Sequence, residues 1–547
     1  MKKILTIAMG VAAMAANAQE TYEGAALATQ DLNGTAKYVG MGGAMEALGA
    51  DISTINTNPA GIGMFRSSWI GLSAGFTSQN GSYDGFKDFS VNNTKSGKTN
   101  ADFNQLGFVY STKAGKDTRL NLAFNYQKSR NFNQILQAVN TLNGSSANMV
   151  NYIKGYHFQQ SNTLQDGIIY EVINDKLNYD QDGEVYARGA QSYAGKYDNE
   201  GYISNFDFNI SGNIHDRIYL GLTIGVKDVR YKGVNTYDEQ LEYSGNPDGD
   251  IFGFTDIRHI TGTGVDIKLG AIFRPIEDSP FRFGLYINTP TWYELSCRTN
   301  MSAAAGFDVN YTTIDGENNT VDHNISYRYD KNTSGYVRDY KYCINTPWRF
   351  GVSAGHTFGK MAAIGVTYEY ADYSAIKNRI VEGTYWDYDG YGHTETSKDY
   401  QMDENNDIAL KGVSLLKIGA EIKPIPQLAI RLGYNWQSAI YSDAGYKSFA
   451  IDSDLSYGSV GAYYSTYDFV NWKATHRFTC GLGVSLGKNW GFDLAYQYST
   501  QKGDYYPFTS VSIPTSSTNG TLDENIGYGT TVHNNRHQFN ATLGYRF

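Results

Sequence analysis

The last twelve residues, Arg536-His537-Gln538-Phe539-Asn540-Ala541-Thr542-Leu543-Gly544-Tyr545-Arg546-Phe547, alternate without interruption. From Phe539 onward the odd positions carry Phe, Ala, Leu, Tyr and Phe, and the even ones carry Asn, Thr, Gly and Arg. Successive side chains of a strand point to opposite faces, so this pattern places an apolar row on one side of the backbone and a polar row on the other. One face suits lipid and the other suits water.

Carried back through the chain, the same template predicts strands near 66–79, 101–112, 119–130, 202–213, 217–231, 256–273, 281–296, 344–358, 360–373, 409–422, 426–440, 470–486, 488–501 and 534–547. Outward rows read clearly in several, for instance Leu120, Leu122, Phe124 and Tyr126, or Leu428, Ile430, Leu432, Tyr434 and Trp436. The connections decide what the strands build. Short ones near 114–117, 214–216, 275–280, 359, 424 and 487 alternate with long ones near 80–100, 131–201, 232–255, 297–343, 374–408, 441–469 and 502–533. A soluble sandwich has no reason to sort its loops by parity. A transmembrane barrel has one, with both termini on the short-turn, periplasmic side. The expected fold is therefore all-β: a transmembrane antiparallel β-barrel of about 14 strands with an N-terminal hatch in its lumen.

Composition agrees with this. The chain holds 45 Tyr and 59 Gly but only ten Pro, and no stretch downstream of the start is long and apolar enough for a membrane helix. A net charge of −10 argues against a nucleic-acid partner. Lys2-Lys3, the apolar run Ile4–Ala15 and the small-x-small site Ala16-Asn17-Ala18 form a secretory signal peptide, so 1–18 is expected to be removed. Barrel diameter grows with strand number, and about fourteen strands leave a hole. Residues 19–65 precede the first strand on the periplasmic side and are expected to fold inward as the hatch, with 66–547 forming the wall.

Within that segment, Tyr38-x-Gly40-x-Gly42, then Ala50-Asp51-x-Ser53 and Asn58-Pro59-Ala60 before Met64-Phe65, resemble the hatch of the FadL-type outer-membrane transporters of long-chain fatty acids and aromatic hydrocarbons. The chain has Ala50-Asp51 where many members carry two adjacent acids. The resemblance implies passive transport of hydrophobic small molecules across the bacterial outer membrane by a monomeric, multi-pass barrel. Cargo would be caught among external loops, here 232–255 and 297–343, then held in a lumenal pocket. It would be released sideways into membrane lipid beside a kinked third strand. The third strand here, Arg119–Arg130, contains neither Gly nor Pro to mark a kink. The terminal Phe547 resembles the signal read by the barrel assembly machinery.

Candidate site residues follow. Asn58, Pro59, Ala60 and Gly61, with Asp51, form the hatch motif. Met41, Met45, Leu48, Ile52 and Ile55 are candidate ligand contacts, because thioethers and branched apolar chains adapt to apolar guests, although core packing accounts for them equally. Arg349, Arg431 and Arg477 are candidate lumenal anchors for a ligand carboxylate. The lumenal charges could equally brace Glu46 and Asp51 through ion pairs, which is the commoner role. None of the nine His lies in the hatch or, by parity, in mid-lumen, so no catalytic group, metal or cofactor is expected. The turn Asn178-x-Asp180-x-Asp182-Gly183-Glu184 has only the opening spacing of a calcium loop. Cys297 and Cys343 flank one loop and are a candidate disulfide, stabilising by about 4 kcal/mol on the chain-entropy model. The run 134–152 has partly helical spacing. A surface-exposed adhesion barrel working through its long loops is the alternative function.

Overall fold

A computed structural model describes residues 19–84, 97–115, 117–147, 149–150, 189–241, 250–314, 320–329, 336–386, 392–443, 445–447, 467–514 and 522–547. The expected leader, 1–18, and the expected turn at 178–184 lie outside them.

Fourteen strands form the wall: β1 Trp69–Asp84, β2 Gly97–Lys113, β3 Arg119–Asn131, β4 Ala190–Ile214, β5 Ile218–Leu241, β6 Asp250–Phe273, β7 Arg282–Asn288 continued by Trp292–Ile314, β8 Tyr336–Asn345 continued by Arg349–Phe358, β9 Ala362–Asp372 continued by Lys377–Trp386, β10 Gly412–Ile425, β11 Leu428–Gln437, β12 Phe469–Leu486, β13 Trp490–Tyr506 and β14 Thr530–Arg546. Each pairs antiparallel with the next. The ring closes where β14 pairs with β1 from Arg546↔Trp69 to Thr531↔Asp84. Closure leaves no open sheet edge, the condition for crossing lipid with strands.

Alternation sorts the faces as expected. Along β3, Leu120 and Leu122 are exposed while Asn121, Ala123, Asn125 and Gln127 are buried. Along β4 the inward row is Asn205, Asp207, Asn209, Ser211 and Asn213, and the outward row is Phe206, Phe208 and Ile210. Apolar outside and polar inside is the inverse of a soluble barrel.

All fourteen expected segments coincide with strands, but the strands run further than the sequence suggests. β4, β5, β6 and the second part of β7 have 25, 24, 24 and 23 residues, against the roughly 9–11 needed to cross a bilayer. Among the described residues, 134–141 and 190–201 and much of 232–255 and 297–343 are therefore ladder rather than loop. Above the lipid both faces meet water or protein, so no apolar alternation marks the continuation. In the run 134–152 residues 147 and 149–150 are helical, while 148 and 151–152 lie outside the described residues and the first eight residues are corrected. Gln134–Thr141 is a strand paired with β4, its Ile135, Leu136, Ala138 and Val139 all buried. Its partly helical spacing reflected two-sided burial. Leu136, Tyr193, Tyr237, Phe254, Tyr505 and Phe508 share one apolar core, in which Tyr193 stacks on both Tyr237 and Tyr505.

The cysteines are also corrected: all three are free. Cys297 is buried on the inner face opposite Tyr340, whereas Cys343 pairs with Glu294 on a row that alternates with the buried Tyr342 and Ile344. The two thiols leave opposite faces of the wall, which a disulfide cannot bridge.

Residues 19–65 lie inside the ring as α1 (Gln19–Ala28), α2 (Ala36–Gly40) and two 3₁₀ turns, Ile52–Asn56 and Pro59–Met64. Their main chain rests on glycines of the wall. A Cβ at Gly365, Gly419 or Gly433 would stand 2.1 Å from Ala44 O, 2.2 Å from Met41 O or 2.2 Å from Gly42 N. Backbone meets backbone there, and no larger residue fits.

Candidate functional site

The hatch holds its own shape through short polar side chains. Thr35 caps α2 by accepting from Tyr38 N at 3.0 Å and donates to Asp51 Oδ2 at 2.8 Å, while Asp51 Oδ1 accepts from Ser53 N at 2.9 Å. Asn58 caps the second 3₁₀ turn by accepting from Ala60 N at 3.2 Å, and its amide donates to Glu46 O at 3.2 Å. Pro59 occupies the first position of that turn, where its missing N–H costs nothing. The Asn58-Pro59-Ala60-Gly61 motif is thus a folding signal within the hatch.

The expected bracing holds for Glu46 and not for Asp51. Glu46 accepts from Lys417 Nζ at 2.7 Å, Thr367 Oγ1 at 2.7 Å and Tyr38 Oη at 3.0 Å. Asp51 meets hydroxyls and backbone only, as a cap. Of the candidate anchors, Arg431 is held by Glu421 at 2.7 Å and Asp493 at 2.5 Å. Arg349 pairs with Glu369 at 3.3 Å and donates to Ala28 O at 2.6 Å. Arg477 donates to Asn435 Oδ1 at 2.9 Å and Gln437 Oε1 at 3.3 Å.

A cavity of about 270 Å³ lies between α1 and the upper wall, lined by Tyr22, Phe132, Tyr231, Tyr441 and Trp472 together with Asp31, Arg130, Arg258, Arg477 and Arg536. A second, of about 70 Å³, lies against the hatch and shares Asp31, Gln437 and Arg477 with the first. Aromatic walls with a few convergent charges suit an amphipathic guest. Met41, Met45 and Leu48 pack with Leu32 and Tyr38, and Ile52 and Ile55 pack with Ile62, Phe65, Val109 and Ala123. None of these five lines either cavity. They hold the hatch to the wall because they lie in its lower part, where the glycine contacts leave no free volume. His476 and His537 sit on the outer face, bonded to Tyr434 and Tyr496.

Three residues at the cavity were not among the candidates, although one of them could have been read from parity. Asp31 accepts from Asn131 N at 2.9 Å and pairs with Arg130 at 2.9 Å and Arg536 at 3.5 Å. Arg536 has inward parity in β14 and was legible. Arg130 was not, because its parity in β3 is outward. The register with β4 shifts between Lys128 and Arg130, so Ser129 is an extra residue and Arg130 takes its place opposite Ile203. A one-residue bulge moves every later side chain to the other face. Strand β2 has a matching irregularity, because Ser73 pairs with Gln105 and Ala74 with Phe103.

The two irregularities meet at a break in the wall. The β2–β3 ladder runs from Lys113↔Arg119 to Gln105↔Gln127 and extends no further among the described residues, although β2 continues to Gly97 and β3 to Asn131. Side chains bridge the rest: Lys128 to Asp102 at 3.2 Å and Asn131 to Asp102 at 3.0 Å. The hatch closes it from within. Asp31 N donates to Ser129 O at 2.8 Å, and Asn33 Nδ2 bonds Lys128 O at 2.9 Å and Asn104 Oδ1 at 3.2 Å.

No family model and no curated protein matches the chain. Among solved structures it is similar to a FadL homologue of Pseudomonas aeruginosa, with 11% identity, 95% of this chain and 99% of that one covered, and a TM-score of 0.48. It is also similar to the toluene transporter TbuX of Ralstonia pickettii, at 12% identity, 94% and 99% coverage and a TM-score of 0.45. A third likeness is to the CymD monoaromatic hydrocarbon channel, at 10% identity, 95% and 99% coverage and a TM-score of 0.48. By its own geometry the chain is a closed fourteen-stranded barrel of the bacterial outer membrane, its bore filled by the residues that precede its first strand.

Proposed function

We propose that this barrel takes up hydrophobic small molecules by passive diffusion, holding them in the cavity above the hatch and releasing them sideways between β2 and β3. The observation that carries the reading is the interrupted ladder beside Asn33. Along it β2 and β3 share no main-chain ladder among the described residues, and hatch side chains cover it from inside. A cargo leaving there passes from an aromatic cavity into lipid without exposing its apolar surface to water, which would cost about 0.8 kcal/mol per CH₂. No energy source is required. The hatch motif's likeness to FadL-type transporters supports the same reading.

The test is a reversible lock. In a background with the three native cysteines replaced by Ala, Asn33→Cys with Asn104→Cys joins the hatch to β2. Oxidation is expected to lower uptake of a fluorescent hydrophobic probe by cells at least several-fold, and reduction to restore it. Equal uptake in the oxidised and reduced states, with the bond confirmed by mass, would overturn the lateral route.

A further inference from the structure

We infer that α3 (Tyr400–Ala409) and the upper part of β9 hold a divalent hard cation, of which calcium fits best, between the carboxylates of Asp399 and Asp403 and the amides of Asn378 and Asn406. The site belongs to the extracellular end of the molecule. β9 turns back through a strand at Gly392–Lys398, and Asp399 then caps α3 by accepting from Met402 N at 3.1 Å. Three bonds fold the helix over the wall. Asp399 N donates to Asn378 O at 3.1 Å, Asn378 N donates to Asp403 Oδ1 at 2.9 Å, and Asn406 Nδ2 donates to Ile376 O at 3.0 Å. Asn378 stands opposite the buried Ile344 in the ladder, so its side chain leaves β9 on the inner face. α3 lies on that face, since Met402 Sδ accepts from Thr21 Oγ1 of α1 at 3.3 Å.

The polar side chains there do not satisfy one another. Asn378, Asn405 and Asn406 are 3%, 3% and 0% exposed, yet both polar atoms of Asn378, Nδ2 of Asn405 and Oδ1 of Asn406 have no hydrogen-bond partner. Buried amides are normally paired, so a cluster of orphaned atoms marks a place for a ligand. The acids point the same way. Asp399 is 4% exposed, and the charge acting on it is the like charge of Asp403, one helical turn away. Lys377 reaches Asp403 Oδ2 at 3.5 Å but is itself half exposed. None of these residues lines the two cavities above the hatch, so the ligand is small and is not the cargo. Calcium accepts a mixed shell of carboxylate, amide-carbonyl and water oxygens in flexible geometry, whereas magnesium demands a near-ideal octahedron and zinc is held chiefly by nitrogen and sulfur. Asp399, Asp403, Asn378 and Asn406 would each supply an oxygen, and water completing the shell would accept from the unpaired amide nitrogens. With two carboxylates the affinity belongs to the weak extracellular class, a Kd of about 0.1–1 mM.

The experiment follows hydrogen exchange of the purified barrel with its hatch, freed of metal by chelation and then titrated with calcium chloride or magnesium chloride. Calcium is expected to slow exchange of residues 399–409 with a midpoint of about 1 mM or below, and magnesium to need about ten-fold more. Asp399→Asn keeps a good helix cap while removing a charge, so it should raise the calcium midpoint about ten-fold and leave exchange in chelator unchanged. Asn378→Leu fills similar space without a ligand atom and should abolish the calcium effect, with gel mobility of the folded barrel unaltered. If calcium at about 10 mM, well above the weak-site range, leaves 399–409 unprotected, the amides are held by water and the inference is overturned. Equal protection of wild type and both variants would place the ion elsewhere and overturn it too.

Discussion

Glu46 of the hatch and Lys417 of β10 meet at 2.7 Å with both side chains almost wholly removed from solvent. Removing one partner of such a pair strands the other charge, typically at about 3–5 kcal/mol. Glu46→Gln is therefore expected to loosen the hatch while leaving the wall intact. Amide exchange of residues 38–64 should accelerate and planar-bilayer conductance should rise, with gel mobility of the folded barrel unchanged. A quiet bilayer with unaltered exchange would count against the ion pair as the principal fastening.

Gly419 offers a steric counterpart. A Cβ there would stand 2.2 Å from the carbonyl oxygen of Met41, a clash that neither backbone can yield to cheaply. Gly419→Leu is expected to displace the hatch and raise conductance, whereas Gly487→Leu, in a turn where an added Cβ would meet nothing, should leave conductance at the wild-type level despite the strain of its positive φ.

Lys447 lies in the connection between β11 and β12 and lines the larger cavity. Burial pushes its ammonium down to about 8, partly opposed by Asp468. The unfolded chain binds this proton up to the usual lysine range and the folded one releases it nearer pH 8, so the penalty is full below pH 8 and disappears as pH rises toward 10. Protection of residues 467–470 against hydrogen exchange, corrected for the intrinsic rate, is expected to increase between pH 8 and 10 in wild type. Lys447→Met should abolish that increase.

The cysteine geometry makes a prediction about chemistry. Cys480 is exposed on the outer, lipid-facing row of β12 and Cys297 is buried on the inner row of β7. A hydrophobic maleimide should label Cys480 quickly in the folded protein and Cys297 only after unfolding. Intact mass should show three free thiols, and reductant should leave the melting temperature unchanged. A mass two hydrogen atoms lighter in oxidising buffer would contradict the placement of Cys297 and Cys343 on opposite faces.

What the sequence revealed is what lipid imposes. Rows such as Leu120, Leu122, Phe124 and Tyr126 alternate because one side of the wall faces hydrocarbon, and this located each of the fourteen wall strands. Where that constraint ends, as in the upper parts of β4 to β7, the strands continue unmarked. Glu46 was legible as a hatch charge that lumenal charges could brace, although its partner Lys417 was not among those named. Arg130 was hidden by the extra residue at Ser129, since parity counting has no means of seeing a bulge without Gly or Pro. The cavity was hidden too, because α1 and Asp31 contribute through position rather than through any motif.

The seam between Trp69 and Arg546 also has a consequence in time. Strand β14, made after the other thirteen, supplies Thr542, which accepts from Ala36 N at 2.7 Å, and Gln538 and Asn540, whose amides reach Asn33 Oδ1 at 3.1 Å and 3.3 Å. The hatch, made before the wall, therefore cannot complete its seating until β14 arrives. The circumference joins and the stopper is pinned in one event, so a product cut short before β14 has neither a sealed cylinder nor a settled interior.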